Sequence, residues 1–352
     1  MTKSEAEVVK VRKRGEQIRQ FILTNVGEHP NDVAALASQT FGITRQAVNK
    51  HIQRLVEQKS LLVKGSTKNK SYQLHPLVQW ARIYPLNGNL EEDRVWDSDI
   101  KPLLLELPDN VRDIWIYGFT EMLNNAIDHS SGEQVTIHVE KTAIDTEIVI
   151  WDDGEGIFKK IQRELNLQDE RHAVLELAKG KLTTDPDRHS GQGIFFTSRM
   201  FDRFTICSGN VYFSHEFNES EDWVLERHQL RVGTGVFMKL ANNTARQSKQ
   251  VFDSFSTGDD YAFTKTVVPV ELAQYGDEKL VSRSQAKRLL TGVDKFKVVV
   301  FDFSGVEAIG QAFADEVFRV FKKQHPEIEL LRMNTNQSVD QMIRRAEVDL
   351  DT

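Results

Sequence analysis

Cysteine is almost missing: Cys207 is the only one among 352 residues. A single thiol excludes an internal disulfide and any zinc site built from several cysteines, so a reducing cytoplasm is the expected setting. Long apolar runs are missing too. None approaches the ~20 residues of a membrane-crossing helix, and the opening stretch MTKSEAEVVKVRKRGEQ has no apolar core of the secretory kind. There is no internal repeat and no low-complexity tract. With 39% hydrophobic and 28% charged residues, the composition is that of an ordinary globular protein. Its length suggests two or three domains.

Charge is unevenly spread. Residues 1–75 carry 13 Lys/Arg against 6 Asp/Glu, while the whole chain has a net charge of −7. A basic first quarter on an acidic remainder points to a polyanion partner for the N-terminal part alone. In that part Ile18, Phe21, Ile22 and Val26 recur at helical spacing. The stretch NDVAALASQTF predicts a short helix capped by Asn31 or Asp32, and Gly42 marks a bend. Thr44 can cap TRQAVNKHIQRLVEQK, and LLVKGSTKNKSYQL reads as two strands around a basic tip.

Helix, helix, glycine turn, helix, hairpin: this order resembles a winged helix-turn-helix over residues 1–80. The resemblance implies DNA binding, with the second helix of the motif in the major groove. Thr44, Arg45, Gln46 and Asn49, together with Lys50, would face base edges. Arg54 would lie nearer the phosphates, and Lys64, Lys68 and Lys70 would contact the backbone from the wing.

Residues 81–107, with Pro85 and Pro102, read as a connector of short elements. After Pro108, with Asp109 as cap, a helix begins that is apolar on most of its surface, yet it places Glu121, Asn125 and Asp128 in line at i, i+4 and i+7. Two strands, QVTIHVEK and TEIVIWD, lead into DGEG and a helical stretch. A long polar insertion follows, read as a functional lid over 157–190. SGQG opens another helix. RFTICSG, VYFSHEF and VGTGVFMKL predict three strands, with Thr234 between Gly233 and Gly235. From about residue 260, KFKVVVFDF, AIGQAFADEVFRVFKK, EIELLRM and QSVDQMIRRA predict a last strand–helix–strand–helix unit.

Taken singly, these glycine and carboxylate groups are commonplace: a helix-surface pair, an Asp-Gly turn, a helix cap. Their order changes the reading. E-x-x-x-N-A at 121–126, D-x-G-x-G at 152–156, G-x-G at 191–193 and G-T-G at 233–235 resemble the four boxes of the GHKL ATP-binding superfamily of gyrase, histidine kinases and anti-sigma kinases. The resemblance spans residues 108–245 and implies an α/β sandwich that binds ATP and Mg²⁺.

The resemblance also implies residue roles. Asp152 would accept a hydrogen bond from the adenine amine, beside Thr234. Gly154 and Gly156 would let backbone approach base and ribose. Gly191, Gln192, Gly193 and Ile194 would present N–H groups to phosphate at a helix N-terminus. Asn125 would hold Mg²⁺, Glu121 would activate the nucleophile, and Asp128 would close the polar line. Lys179, Lys181, Arg188 and His189 could add positive charge from the lid.

The branch can be narrowed. No phospho-accepting dimerisation helix precedes residue 108, as a histidine kinase would need, and no gyrase-like transducer follows 241. Instead, VVVFDFSGVEAIGQAFADEVF resembles the strand–loop–helix of a STAS-type domain over 260–352. Where that family carries its phospho-accepting serine, this chain has Gly310, Gln311, Ala312 and Phe313, and Ser304 is the nearest hydroxyl. The resemblance therefore implies a binding or dimerisation module.

The expected fold class is multidomain α+β: winged helix-turn-helix, GHKL ATPase domain, STAS-like domain. The expected function is an ATP-switched, DNA-binding regulator. The alternatives are an anti-sigma-type serine/threonine kinase and an ATP-gated clamp without DNA specificity. Expected partners are DNA, a protein at the STAS-like domain and no membrane, with room left for a homodimer.

Overall fold

Ile18 and Ile22 lie one turn apart on α1 (Lys3–Asn25), with Val26 one turn further just past its end, and this stripe belongs to the core of the N-terminal region. In the computed structural model, residues 3–66, 69–182, 191–217, 223–256, 263–274 and 279–348 are described. The chain divides into two compact units: residues 1–81 with 138–147 and 241–243, and the remainder.

In the first unit α1 is followed by α2 (Val33–Phe41) and α3 (Arg45–Glu57). Gly42 takes φ +61° to end α2, and the Thr44 hydroxyl accepts from Ala47 N at 3.2 Å to start α3. Asp32 precedes α2 but makes no capping bond; its carboxylate meets His29 at 3.1 Å. An antiparallel hairpin of β1 (Leu61–Lys64) and β2 (Ser71–Leu74) closes the set, pairing Leu61 with Leu74. Val33, Ala37, Val48, Ile52, Leu55 and Leu61 complete the core, with Ala143 and Ile144 packed against it. Each large aliphatic side chain contributes about 1.5–3 kcal/mol by leaving water.

Residues expected as a connector contain a strand of the main sheet. β3 (Val78–Pro85) is an edge strand, and α4 (Glu92–Val95) follows it. An edge position tolerates the terminal Pro85 that argued against a strand. The helix of the polar line is α5 (Asp109–His129). Pro108, not Asp109, holds the cap position; Asp109 is the first helical residue and pairs with Arg112. Val111, Ile114, Trp115, Gly118, Phe119, Met122, Leu123 and Ala126 are buried, while Ile116 stays 42% exposed.

β4 (Gln134–Lys141) and β5 (Asp145–Asp152) alternate strictly, with every second side chain buried. α6 (Ile157–Glu164), α7 (Glu170–Lys179) and α8 (Gly193–Met200) follow. The described part of the expected lid, residues 157–182, is thus largely helical. Residues 172–179 of α7 are all buried, because its apolar and charged side chains both find partners. Residues 183–190 lie outside the described set. RFTICSG and VYFSHEF form one strand, β6 (Arg203–Glu216), with a register shift at Gly209 where two strands were expected. It pairs antiparallel with β7 (Trp223–Ala241), and the sheet order is β3-β4-β5-β7-β6.

After α9 (Ser248–Ser254) comes a parallel three-stranded sheet of order β10-β9-β8. Its parts are β8 (Lys265–Pro269), α10 (Arg283–Leu290), β9 (Val298–Asp302), α11 (Gln311–Asp315), a wider helical turn leading to α12 (Lys322–Gln324), β10 (Glu329–Met333) and α13 (Gln337–Val348). β8 and α10 were not visible as elements in the sequence pattern. Ser304 shapes the turn after β9: its N–H and its hydroxyl both donate to Asp302 Oδ1, at 3.0 and 2.8 Å.

α5 packs on α8 through Gly118. A methyl at that position would fall 2.4 Å from the Phe201 ring and 3.2 Å from Thr197. Gly118→Ala should therefore lower unfolding stability by about 1–3 kcal/mol through overpacking, read from the midpoint of urea denaturation at unchanged slope.

Candidate functional site

β5 ends on the inward register of Ile148 and Ile150, and that register carries the Asp152 side chain into the interior, 5% exposed. Asp152 Oδ1 accepts from Gly154 N at 2.9 Å and from Thr234 N at 3.2 Å. Burial pushes this carboxyl above the usual carboxylate range, and the two backbone donors pull it back. Asp153 does something different. Its Oδ1 accepts from Glu133 N and Gln134 N, fixing the start of β4.

The turn after β5 is packed from below. A Cβ on Gly154 would fall 1.9 Å from the Ser130 carbonyl oxygen, and one on Gly233 would fall 1.9 Å from the Asp152 carbonyl oxygen. A side chain at Gly154 would thus collide with the residue that ends α5. Gly156 takes φ +93° over the Ser208 hydroxyl, which donates to Gly233 O at 3.0 Å. Ile157 N donates to the Thr234 hydroxyl at 2.9 Å. That bond uses the oxygen as acceptor and leaves the Thr234 proton to be donated.

These elements enclose a cavity of about 340 Å³. Glu121, Asn124, Asn125, His129 and Ser130 line it from α5, Asp152 and Thr234 from the sheet, and Gly191, Gly193 and Ile194 from the start of α8. Glu121 lies against Gly193: a methyl there would fall 1.9 Å from Oε2. Glu121 also helps to hold the half-buried Tyr117 hydroxyl above its ordinary range, after the larger effect of desolvation. The positive end of α8 favours negative charge at this spot by about 0.3–1 kcal/mol.

Residues 104–211 match the family model of the histidine kinase-like ATPase domain. The chain carries a histidine kinase-like ATPase domain. Residues 285–340 match a second model, a STAS-like domain of unknown function. No curated protein matches the chain. The ATPase domain supports ATP binding, and its sheet continues beyond the matched segment to bring Thr234 onto Asp152. No described helix is long and apolar enough to cross a membrane.

Several expected site residues fall elsewhere. Asp128 is exposed and does not line the cavity, because α5 faces it with the 121–122–125–126–129 stripe. Gln192 precedes α8, where its carbonyl accepts from Phe196 N, and it too is outside the lining. Lys179 and Lys181 do not face the cavity; both donate to carbonyls of the C-terminal segment. Arg188 and His189 lie outside the described residues.

The sequence pattern did not single out Lys160. It lines the ATPase cavity and donates to the His129 carbonyl at 2.9 Å. Ile157, Lys160 and Ile161 all line the cavity at i, i+3 and i+4, so the helical stripe was the available signal.

On the first unit, Thr44, Arg45, Gln46, Asn49, Lys50 and Arg54 are all exposed along α3, opposite the buried Val48, Ile52 and Leu55. Lys64 and Lys70 are exposed beside the hairpin, and Lys68 lies outside the described residues.

Asp152→Asn keeps an oxygen for the two backbone donors and removes a buried charge. The parent carboxyl titrates above its unfolded value, so its ionisation costs stability as pH rises through that value. The variant should melt no lower than the parent at pH 7. Its relative advantage should shrink as pH falls through the Asp152 titration, as read by thermal unfolding across pH 4–8.

Proposed function

We propose that the chain is a Mg-ATP-binding regulator that contacts DNA through residues 1–75, with nucleotide state governing that contact. One observation carries the nucleotide half of this reading: a buried carboxylate, a Glu–Asn pair and the N-terminus of α8 line a single cavity. Its volume falls in the usual range for ligand sites, about 300–1,000 Å³.

Bound ATP with Mg²⁺ supplies an activated phosphoryl group whose charge the metal shields. The chain's own residues divide the remaining work. Asp152 accepts the hydrogen bond of the adenine amine. The Lys160 ammonium and the N–H groups of Gly193 and Ile194 offer positive charge to phosphate oxygens. The Asn125 side-chain oxygen would be the metal ligand. No group of three or more His, Cys, Asp or Glu among the described residues could hold a metal. Mg²⁺ keeps several waters and shares its shell with phosphates, so a single protein oxygen can suffice. The Glu121 carboxylate would take the proton of the attacking hydroxyl, with ADP as the leaving group.

The DNA half rests on α3. Its exposed Arg45, Gln46, Asn49, Lys50 and Arg54 form the row that a groove-entering helix requires, presented by the order helix, helix, glycine turn, helix, hairpin. Equal affinity for DNA upstream of its own gene with and without Mg-ATP would contradict the switch. Replacing Arg45 and Lys50 by Ala should weaken binding by about 1–3 kcal/mol per lost base contact and relax sequence preference, as read by titration against the parent site and base-substituted sites.

Glu121 within the cavity also favours a second reading, phosphoryl transfer to a hydroxyl of a partner protein, as in anti-sigma kinases. Glu121→Gln should bind ATP within ~3-fold of the parent yet lose hydrolysis or transfer by at least ~100-fold. Labelled phosphate appearing on a partner only with the parent chain supports transfer. Free phosphate alone supports hydrolysis.

A further inference from the structure

α7 stands between the ATPase cavity and the STAS-like segment and touches both. Leu177, with Leu182 just beyond the helix, lines the cavity. Two residues on from Leu177, the Lys179 side chain is 2% exposed, with Nζ at 2.7 Å from Glu176 Oε1. The same ammonium donates to Thr291 O at 2.8 Å and to Arg288 O at 3.2 Å.

Those carbonyls end α10, where the helix carries partial negative charge; Arg288 O also accepts from Thr291 N at 3.3 Å. Gly292 takes φ +68° just after them. The STAS-like segment thus offers a carbonyl cup, and the ATPase domain inserts a cation. The Thr266 hydroxyl, fully buried at the start of the C-terminal sheet, donates to Lys179 O at 2.6 Å. Lys181 Nζ donates to Lys295 O at 2.8 Å and lies 4.6 Å from the Phe296 ring centre.

The other side of the cavity is tied in as well. Phe195 lines it from α8 and packs on Phe263 at 4.6 Å between ring centres. A buried lysine is costly unless every donor finds a partner. Here it finds three oxygens, two of them on the neighbouring domain.

We propose that Lys179 is a positioning residue through which the STAS-like segment clasps α7 over the nucleotide cavity and sets the rate of nucleotide release. The proposal rests on the ATP-binding reading and gives the C-terminal module a role that needs no phospho-acceptor serine. Coupling is reciprocal by thermodynamic necessity. Nucleotide in the cavity tightens the clasp, and whatever grips the STAS-like segment alters nucleotide affinity.

The test uses the full chain and a fluorescent ATP analogue in stopped flow. Removing one member of the buried pair would strand the other, so the variant is the double Lys179→Met, Glu176→Gln. Thr266→Val serves as the milder companion, because it removes only the hydroxyl bond.

With folding verified by cooperative thermal unfolding, the double variant should release nucleotide at least ~10-fold faster at similar association rate, and Thr266→Val ~3-fold faster. Hydrogen exchange provides a readout that simple destabilisation would not mimic. Nucleotide should protect residues 288–295 in the parent and fail to do so in the double variant. Unchanged release in a folded variant, or absent protection of 288–295 in a parent that binds nucleotide, overturns the clasp and leaves ATP binding intact. A parent that binds no nucleotide overturns the ATP reading, and the clasp with it.

Discussion

The ionisable side chain of Asp152 sits at the end of β5 on the apolar face of a sheet, and much of the ATPase domain follows from satisfying it. Burying a carboxylate without donors would cost several kcal/mol. The donors here are Gly154 N and Thr234 N, from two segments far apart in sequence. Gly154 N reaches inward only because the turn after β5 folds tightly onto Ser130, where no side chain fits. Thr234 N reaches Asp152 only because Gly233, at φ +81°, lets backbone approach backbone. The glycines on either side therefore serve the carboxylate first, and through it the ligand.

A second buried charge links the halves of the larger unit. Lys179 and Glu176 neutralise each other, and the end of α10 satisfies the remaining donors of the lysine. Buried ion pairs add little net stability, and their better-attested use is to fix one arrangement among several. A helix that lines a ligand cavity on one side and plugs a neighbouring domain on the other is well placed for that use. The rings of Phe195, Phe196, Phe255 and Phe263 pack in the same region with geometry typical of aromatic pairs.

What the sequence disclosed was local and chemical. Three glycine-bearing motifs in order located Asp152, Gly193 and Thr234, and helical spacing placed Glu121 and Asn125 on one wall. The period-2 pattern found β4 and β5. Where it failed, tertiary context decided. Pro85 hid an edge strand, because prolines punctuate loops more often than they end strands. The charges of ERHAVLELAK suggested a solvated lid, yet Glu176 and Lys179 are buried because each supplies the partner of the other. Lys160 escaped notice because a lysine on an amphipathic helix usually faces water. Only the fold reveals that its stripe lines a cavity. Asp128 was placed by spacing alone, which fixes a helix face but not how wide the cavity along it will be.

The central claim is that the Asp152 site recognises adenine in a nucleotide, and the most direct measurement is a calorimetric comparison of ATP and GTP binding to the full chain in Mg²⁺. A buried carboxylate accepts from the adenine amine and repels the carbonyl oxygen that guanine carries in its place. A site built to hydrogen-bond one ligand group rejects an analogue lacking that group by orders of magnitude. The account predicts ATP bound at least ~100-fold more tightly than GTP. Equal affinities for the two, or no heat of binding with either, would contradict it.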